Sequence, residues 1–271
     1  VAVDAEGNVY VADTWNHRIQ KFNSEGVFLN GWGTNGRGEG QFADPFGVAV
    51  DGQGRVFVAD TWNHRIQKFD GSGVFLAQWG GSGTAEGELL DPSGVAIGPA
   101  GEVYVSDSSN YRIQKFDGDG NFLTMWGSFG HDGGQFNYPV GIAVDVAGNV
   151  YVADVYNHRI QKFDSEGEYL DEWGGMGTGA GQFFDVFGVA IGAEGNVYVA
   201  DTANQRIQKF DSAGNLLTVW GSRGDGPGQF DSPQGLAVDA AGDVYVADTG
   251  NDRIQKFSST GEFLTQWGLD G

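Results

Sequence analysis

Between Val48 and Trp79 the chain reads as two apolar runs followed by two mixed ones. Val48-Ala49-Val50 and Val56-Phe57-Val58-Ala59 contain no polar residue, so each is predicted as a short strand buried on both faces. Arg65-Ile66-Gln67-Lys68-Phe69 and Val74-Phe75-Leu76-Ala77-Gln78-Trp79 interleave polar with apolar positions, the pattern of strands with a wetter face. Asp51-Gly52-Gln53-Gly54 and Asp70-Gly71-Ser72-Gly73 are tight-turn sequences, and Thr61-Trp62-Asn63-His64 is a third connection. Together these elements predict a four-stranded antiparallel meander. Its first two strands are the most apolar and its outer two carry the charge, so the first should lie deepest. A Gly-rich stretch, Gly80 to Gly94, follows.

The same unit recurs along the whole chain. Arg-Ile-Gln-Lys-Phe begins at Arg18, Arg65, Arg112, Arg159, Arg206 and Arg253, always 47 residues apart. A fixed period of this length marks a supersecondary unit whose copies bury their faces on one another. Four strands per copy predict an all-β, six-bladed β-propeller, a single domain over 1–271, with blades near 1–36, 48–83, 95–130, 142–177, 189–224 and 236–271. The Gly-rich links should carry the chain from the rim of one blade to the axis of the next. Phe42, Leu89, Phe136, Phe183 and Phe230 within them are expected to plug the gaps between blades. Six full periods would need one more link than the sequence carries. Every blade still draws its strands from one continuous stretch, so no strand swap is expected and blade one should close on blade six by packing.

Composition narrows the function. Glycine, 47 of 271 residues against a usual ~7%, marks turns here because apolar runs flank each one. There is no cysteine, hence no disulfide framework or thiolate chemistry. No apolar run reaches the length of a membrane span, and no signal peptide is read. Net charge is −21, and twelve of the 15 Lys and Arg residues belong to the repeated pentapeptides, leaving Arg37, Arg55 and Arg223. A nucleic-acid site needs a concentrated basic face, and anionic membranes make the same demand, so neither is an expected partner.

The pattern Pro-X-Gly-Val-Ala-Val-Asp…Gly-X-Val-Tyr-Val-Ala-Asp-X-X-Asn-X-Arg-Ile-Gln-Lys-Phe resembles the NHL repeat family of six-bladed propellers. It stands nearly intact at Pro45–Phe69 and Pro139–Phe163, with Asn-His steps at Asn16-His17, Asn63-His64 and Asn157-His158. The resemblance spans the whole chain and implies the fold. For function it implies several alternatives: protein-interaction platforms, RNA-binding domains, sensor domains, a zinc lyase and, among related propellers, lactonases. It also points to an extracytoplasmic or secreted bacterial location. The equal spacing of the copies suits recent amplification, reconstruction or design of a symmetric scaffold without a native ligand. Differences among the copies at surface positions suit a natural history.

Residues shared by all copies belong first to the scaffold. Asp13, Asp60, Asp107, Asp154, Asp201 and Asp248, each followed by Asn and Arg, are read as loop locks, since one active site has no use for six acids. His17, His64 and His158 would suggest zinc, but strands ~4.8 Å apart place their loops on the order of 13 Å from the axis and from each other. A zinc ion needs its ligands within about 2.1 Å, so no metal or other cofactor is predicted. His131 is expected on the surface. Asp4, Asp51, Asp145 and Asp239 end first strands and are read as turn starters rather than a cation ring. Asp117-Gly118-Asp119-Gly120-Asn121 lacks the spacing and terminal Glu of a calcium loop.

Trp32, Trp79, Trp126, Trp173, Trp220 and Trp267 also recur and are structural. Trp15 and Trp62 do not recur: the other copies hold Ser109, Tyr156, Ala203 and Gly250 there. The variable Pro-X-Gly position holds Phe46, Ser93, Val140, Phe187 and Gln234. Both positions belong to one face of a propeller, so Trp15, Trp62, Tyr156, Phe46 and Phe187 form the candidate binding set. The structural alternative is that each folds over its own blade as a lid. The opposite, hairpin face carries acids such as Glu6, Glu25, Asp119, Glu166 and Glu194 and is read as a solvated surface. The sequence thus predicts a monomeric, non-catalytic module for a protein, peptide or glycan. A scaffold with no ligand and a lyase- or lactonase-like metalloenzyme are the alternatives, and RNA binding ranks last.

Overall fold

The computed structural model describes residues 1–268, so the last residues assigned to blade six, 269–271, lie outside the described residues. Twenty-four strands form six four-stranded antiparallel sheets, each built from strands consecutive in the chain. The ring is a six-bladed β-propeller with no strand exchanged between blades. In blade two the strands are Pro45–Val50, Val56–Asp60, Arg65–Phe69 and Phe75–Gly80. The first runs toward the hairpin face and the second returns, so the loop after strand two and the inter-blade link share the opposite face, here called the loop face.

The inner strand is longer than the apolar run predicts. It starts at Pro45, which pairs with Asp60, and its register shifts before Val48 pairs with Val58. Phe46 and Gly47 therefore stand opposite a single residue, a β-bulge. Proline suits the first position because it has no N–H to leave unpaired. Glycine suits the third because a Cβ on Gly47 would run into the Ser93 carbonyl of the next inner strand. The outer strand begins at Phe75 rather than Val74.

The core lies between blades. Phe42, from the link, is fully buried with Tyr10 and Ile19 of blade one and Val56, Val58 and Phe69 of blade two. Phe136, Phe183, Phe230 and Leu89 are equally buried at the next seams, so the link residues do plug the gaps. Trp32 packs edge-on to Tyr10 of its own blade at 6.4 Å and tilted on Phe69 of the next at 5.9 Å. Gly73 in the adjacent hairpin turn has φ +88° and would place a Cβ 2.6 Å from the Trp32 ring, so only glycine fits there. Trp267 closes the ring by packing on Phe22 of blade one at 6.2 Å.

Each letter of the repeated pentapeptide has a physical role. Arg65 Nε donates to Asp60 Oδ2 at 2.7 Å, and its Nη groups donate to the link carbonyls of Arg37, Gly38 and Gln41. Ile66 and Phe69 are core. Gln67 Nε2 donates to Asp60 Oδ2 and to the Gln41 carbonyl. Lys68 Nζ reaches across to the Gly118 carbonyl in the next blade's hairpin turn, 2.7 Å away. The Asp is thus a loop lock: Asp60 Oδ1 also accepts the Ala43 amide at 2.7 Å, pinning the link above the blade.

Candidate functional site

The loop after each second strand is a single turn of 3-10 helix in five blades, Thr14–Asn16 and Thr61–Asn63 among them. His17 N and His64 N close these turns on the carbonyls of Thr14 and Thr61. The closing residue is left-handed, at φ 52° in His17 and 56° in His64, and His, Tyr, Gln or Asp fills it around the ring. The first residue ties the loop to the next blade: Thr14 Oγ1 donates to the Pro45 carbonyl at 2.8 Å, and Thr61 Oγ1 to Pro92 at 2.9 Å. Ser109 of blade three turns back to Asp91 Oδ2 at 2.7 Å, but in three blades the second residue stands outward. It is Trp15, 80% exposed, Trp62, 67%, and Tyr156, 55%.

The histidines have a backbone task. His17, His64 and His158 each accept, at Nδ1, the amide of the following link: Asp44 at 3.3 Å, Asp91 at 3.2 Å and Asp185 at 3.1 Å. In blade five Gln205 Oε1 takes the Ser232 amide in the same way at 2.6 Å. His131 sits in the third link with Nδ1 2.6 Å from Asn157 Oδ1, beside a shallow cleft lined by Arg159 and Glu172. Among the described residues no group of three His, Asp or Glu side chains is placed to hold a metal ion. Asp4, Asp51, Asp145 and Asp239 cap their own turns; Asp51 Oδ1, for instance, accepts the amides of Gln53 and Arg55. Asp117 does the same for Asp119 and Asn121, and its carboxyl is held below the usual aspartate range, first by the Asn121 side-chain amide donating to Oδ2 at 2.7 Å and then by the backbone amides.

The five candidate residues fall in two sectors. Trp15, Trp62 and Phe46 belong to blades one and two, Tyr156 and Phe187 to blades four and five, across the ring. Phe46 and Phe187 occupy the bulges of opposite inner strands at the channel mouth and are half-buried. Asp44 joins the two Trp loops, because its amide bonds His17 while the Trp62 amide bonds the Ala43 carbonyl at 3.1 Å. Tyr156 is stacked on Tyr138, centroids 5.5 Å apart, whereas neither Trp15 nor Trp62 is seen in such a ring pair among the described residues. Tyr138 was not in the predicted set, though it stands where other links have Asp44, Asp91 and Asp185 and the same subtraction of the repeat would have found it. Phe184, stacked on His158 at 5.3 Å, and Phe129, 5.0 Å from Tyr111, also lie along the links and were missed. No helix among the described residues is long and apolar enough to cross a membrane.

Solved structures with this fold include a streptogramin B lyase, 14% identical with TM-score 0.68, covering 100% of this chain and 82% of that one. A chain of a nidogen/laminin complex is 15% identical with TM-score 0.70, covering 97% of this chain and 93% of that one. A protein of unknown function from Bacteroides caccae is similar at 14% identity, TM-score 0.70, with 97% and 93% covered. At these identities the likeness is one of fold. A comparison with curated proteins finds no match. The NHL repeat model matches residues 1–22, 42–69, 89–116, 136–163, 188–210 and 230–257, once in every blade and over more than half of the sequence: the chain belongs to the NHL repeat family.

Proposed function

We propose that this NHL propeller is a non-catalytic interaction module that holds a protein, peptide or glycan on its aromatic loop face. The observation that carries the reading is the outward projection of Trp15 and Trp62 from loops bonded at both ends. A large apolar side chain gains on the order of 1.5–3 kcal/mol when a partner covers it. A rigid mount spares the cost of ordering it. These two residues also break the repeat, so the scaffold does not require them.

Two further facts support a module over an enzyme. His17, His64 and His158 are each spent on a link amide, one per blade, and the acids of the second strands are buried under Arg. The similar fold in the nidogen/laminin complex belongs to a protein that assembles with another protein, and the lyases show that the same fold also supports chemistry.

The test is capture on immobilised protein, wild type against Trp15→Ala/Trp62→Ala/Tyr156→Ala. A partner held by the wild type alone is expected. Equal or empty capture would sink the site, and a stoichiometric, tightly bound metal in the purified protein would favour the lyase-like alternative.

A further inference from the structure

We propose that the partner segment seated on Trp15 and Trp62 is cationic: a peptide bearing arginine or lysine, clamped over the two indoles with Asp44 between them. The inference rests on the loop face being an interaction site and adds the chemistry of what it takes.

The geometry comes from the first link. Residues 43–45 form a strut between the two Trp loops, through the bonds from Asp44 N to His17, from Trp62 N to the Ala43 carbonyl and from Thr14 Oγ1 to the Pro45 carbonyl. Asp44 therefore lies between the loop that carries Trp15 and the loop that carries Trp62. Its Oδ1 lies 3.2 Å from Nδ1 of His17, whose Nε2 faces the Asn35 amide at 2.9 Å, and 17% of the Asp44 side chain is exposed.

Charge decides the partner. The loop face has little free positive charge to offer an acidic ligand. Arg65, Arg112, Arg159, Arg206 and Arg253 turn their guanidinium groups inward, onto the locking Asp and the link carbonyls, while Arg18 beside the Trp15 loop bonds Asp13 through Nε and is 38% exposed. The first two links carry Asp44, Glu39, Asp91, Glu86 and Glu88 against Arg37 as their one cation. The whole chain carries −21. Indole faces attract cations through their quadrupole, most strongly for Trp, and carboxylates beside them add to the attraction. An acidic or nucleic-acid segment would meet repulsion at the same place.

A short fluorescein-labelled peptide of alternating arginine and glycine, and its twin with citrulline in place of arginine, would be titrated by anisotropy. At about 50 mM salt the arginine peptide is expected to bind and the citrulline twin to bind at least about tenfold more weakly. Trp15→Ala/Trp62→Ala should weaken the arginine peptide about fivefold or more, and Asp44→Asn about threefold. Glu25→Gln/Glu166→Gln, on the hairpin face, should leave it unchanged. Both Trp side chains stand in solvent, so unchanged thermal melting of that variant serves as the folding check.

Equal binding of the two peptides would overturn the proposal, as would binding that survives loss of both Trp but falls in the hairpin-face variant. If neither peptide binds but a linear chito-oligosaccharide quenches tryptophan fluorescence in the wild type and not in Trp15→Ala/Trp62→Ala, the cationic partner is wrong and the face stands. If nothing binds in a Trp-dependent way, both readings fall.

Discussion

Asp107 shows how much of this molecule hangs on single side chains. It has no exposed surface; its Oδ1 accepts the Leu90 amide at 2.7 Å, and its Oδ2 accepts Arg112 Nε at 2.6 Å and Gln114 Nε2 at 3.0 Å. Asp107→Ala would leave a buried guanidinium without its counter-charge, for which a loss of about 3–5 kcal/mol is expected. Urea unfolding should show it as a lower midpoint at unchanged slope, while Asp119→Ala on the surface should move the midpoint little. Tyr245 is pushed above the usual tyrosine range, by burial first and also by Asp239. Burial works against the charge of Lys256, but the Tyr245 phenol and Asp243, 2.9 Å away, outweigh it and raise its pKa. Tyr104 and Lys115 form a similar raised pair. In each case the folded state holds its proton to higher pH than the unfolded chain. Stability is therefore fully present below about pH 10 and is lost as pH rises beyond it. The melting temperature should fall progressively above about pH 10, and less steeply in Lys115→Gln/Lys256→Gln; a flat profile would refute the pairing.

At the scale of the element, what could be read in the chain was what local chemistry encodes. Val56–Asp60 and Arg65–Phe69 were legible because an all-apolar run and an alternating run each have one comfortable place in a blade. The hairpin turns were legible because Asp at the first position and Gly at the fourth are demanded by the turn itself. The bulged start of the inner strand was not. Pro45-Phe46-Gly47 reads locally as a turn, and only pairing with Asp60 and the approach of the next inner strand make it a strand. The same limit applies to Gln67, whose bond to the Gln41 carbonyl spans 26 residues of chain. At the candidate site, the outward position of Trp15 and Trp62 followed from their failure to repeat. That Phe46 lies in their sector and Tyr156 and Phe187 across the ring followed only from the order of blades around an axis. Tyr138 was missed because subtraction was applied to the loops and bulges but not to the link residue that supports them.

At the scale of the whole molecule, the ring is closed unevenly. The seams between successive blades hold clusters of seven to nine buried apolar residues, but the seam between blades six and one holds three, Val9, Tyr245 and Ile254. The inner strand of blade one is only Ala2–Val3, and no link phenylalanine or leucine fills this seam among the described residues. Filling such a gap with one buried Phe contributes about 1.5–3 kcal/mol, so in a polypeptide of residues 1–271 this seam should open at a lower free energy than its neighbours. Because the copies share one architecture, the other blades serve as internal controls. Native-state hydrogen exchange should show the amides of blades one and six exchanging through a sub-global opening, while those of blades three and four wait for global unfolding. Trp267→Ala should widen that difference, since Trp267 packs on Phe22 across the weak seam, whereas Trp126→Ala, across a seam plugged by Phe136, should narrow it. Uniform protection around the ring would mean that closure by packing alone matches the plugged seams. Opening at this seam would also bear directly on binding, because Trp15 is mounted on blade one. A partner bridging Trp15 and Trp62 would then stabilise blade one by holding it to blade two, and slower exchange at Val9–Asp13 on peptide binding is the result that this coupling requires.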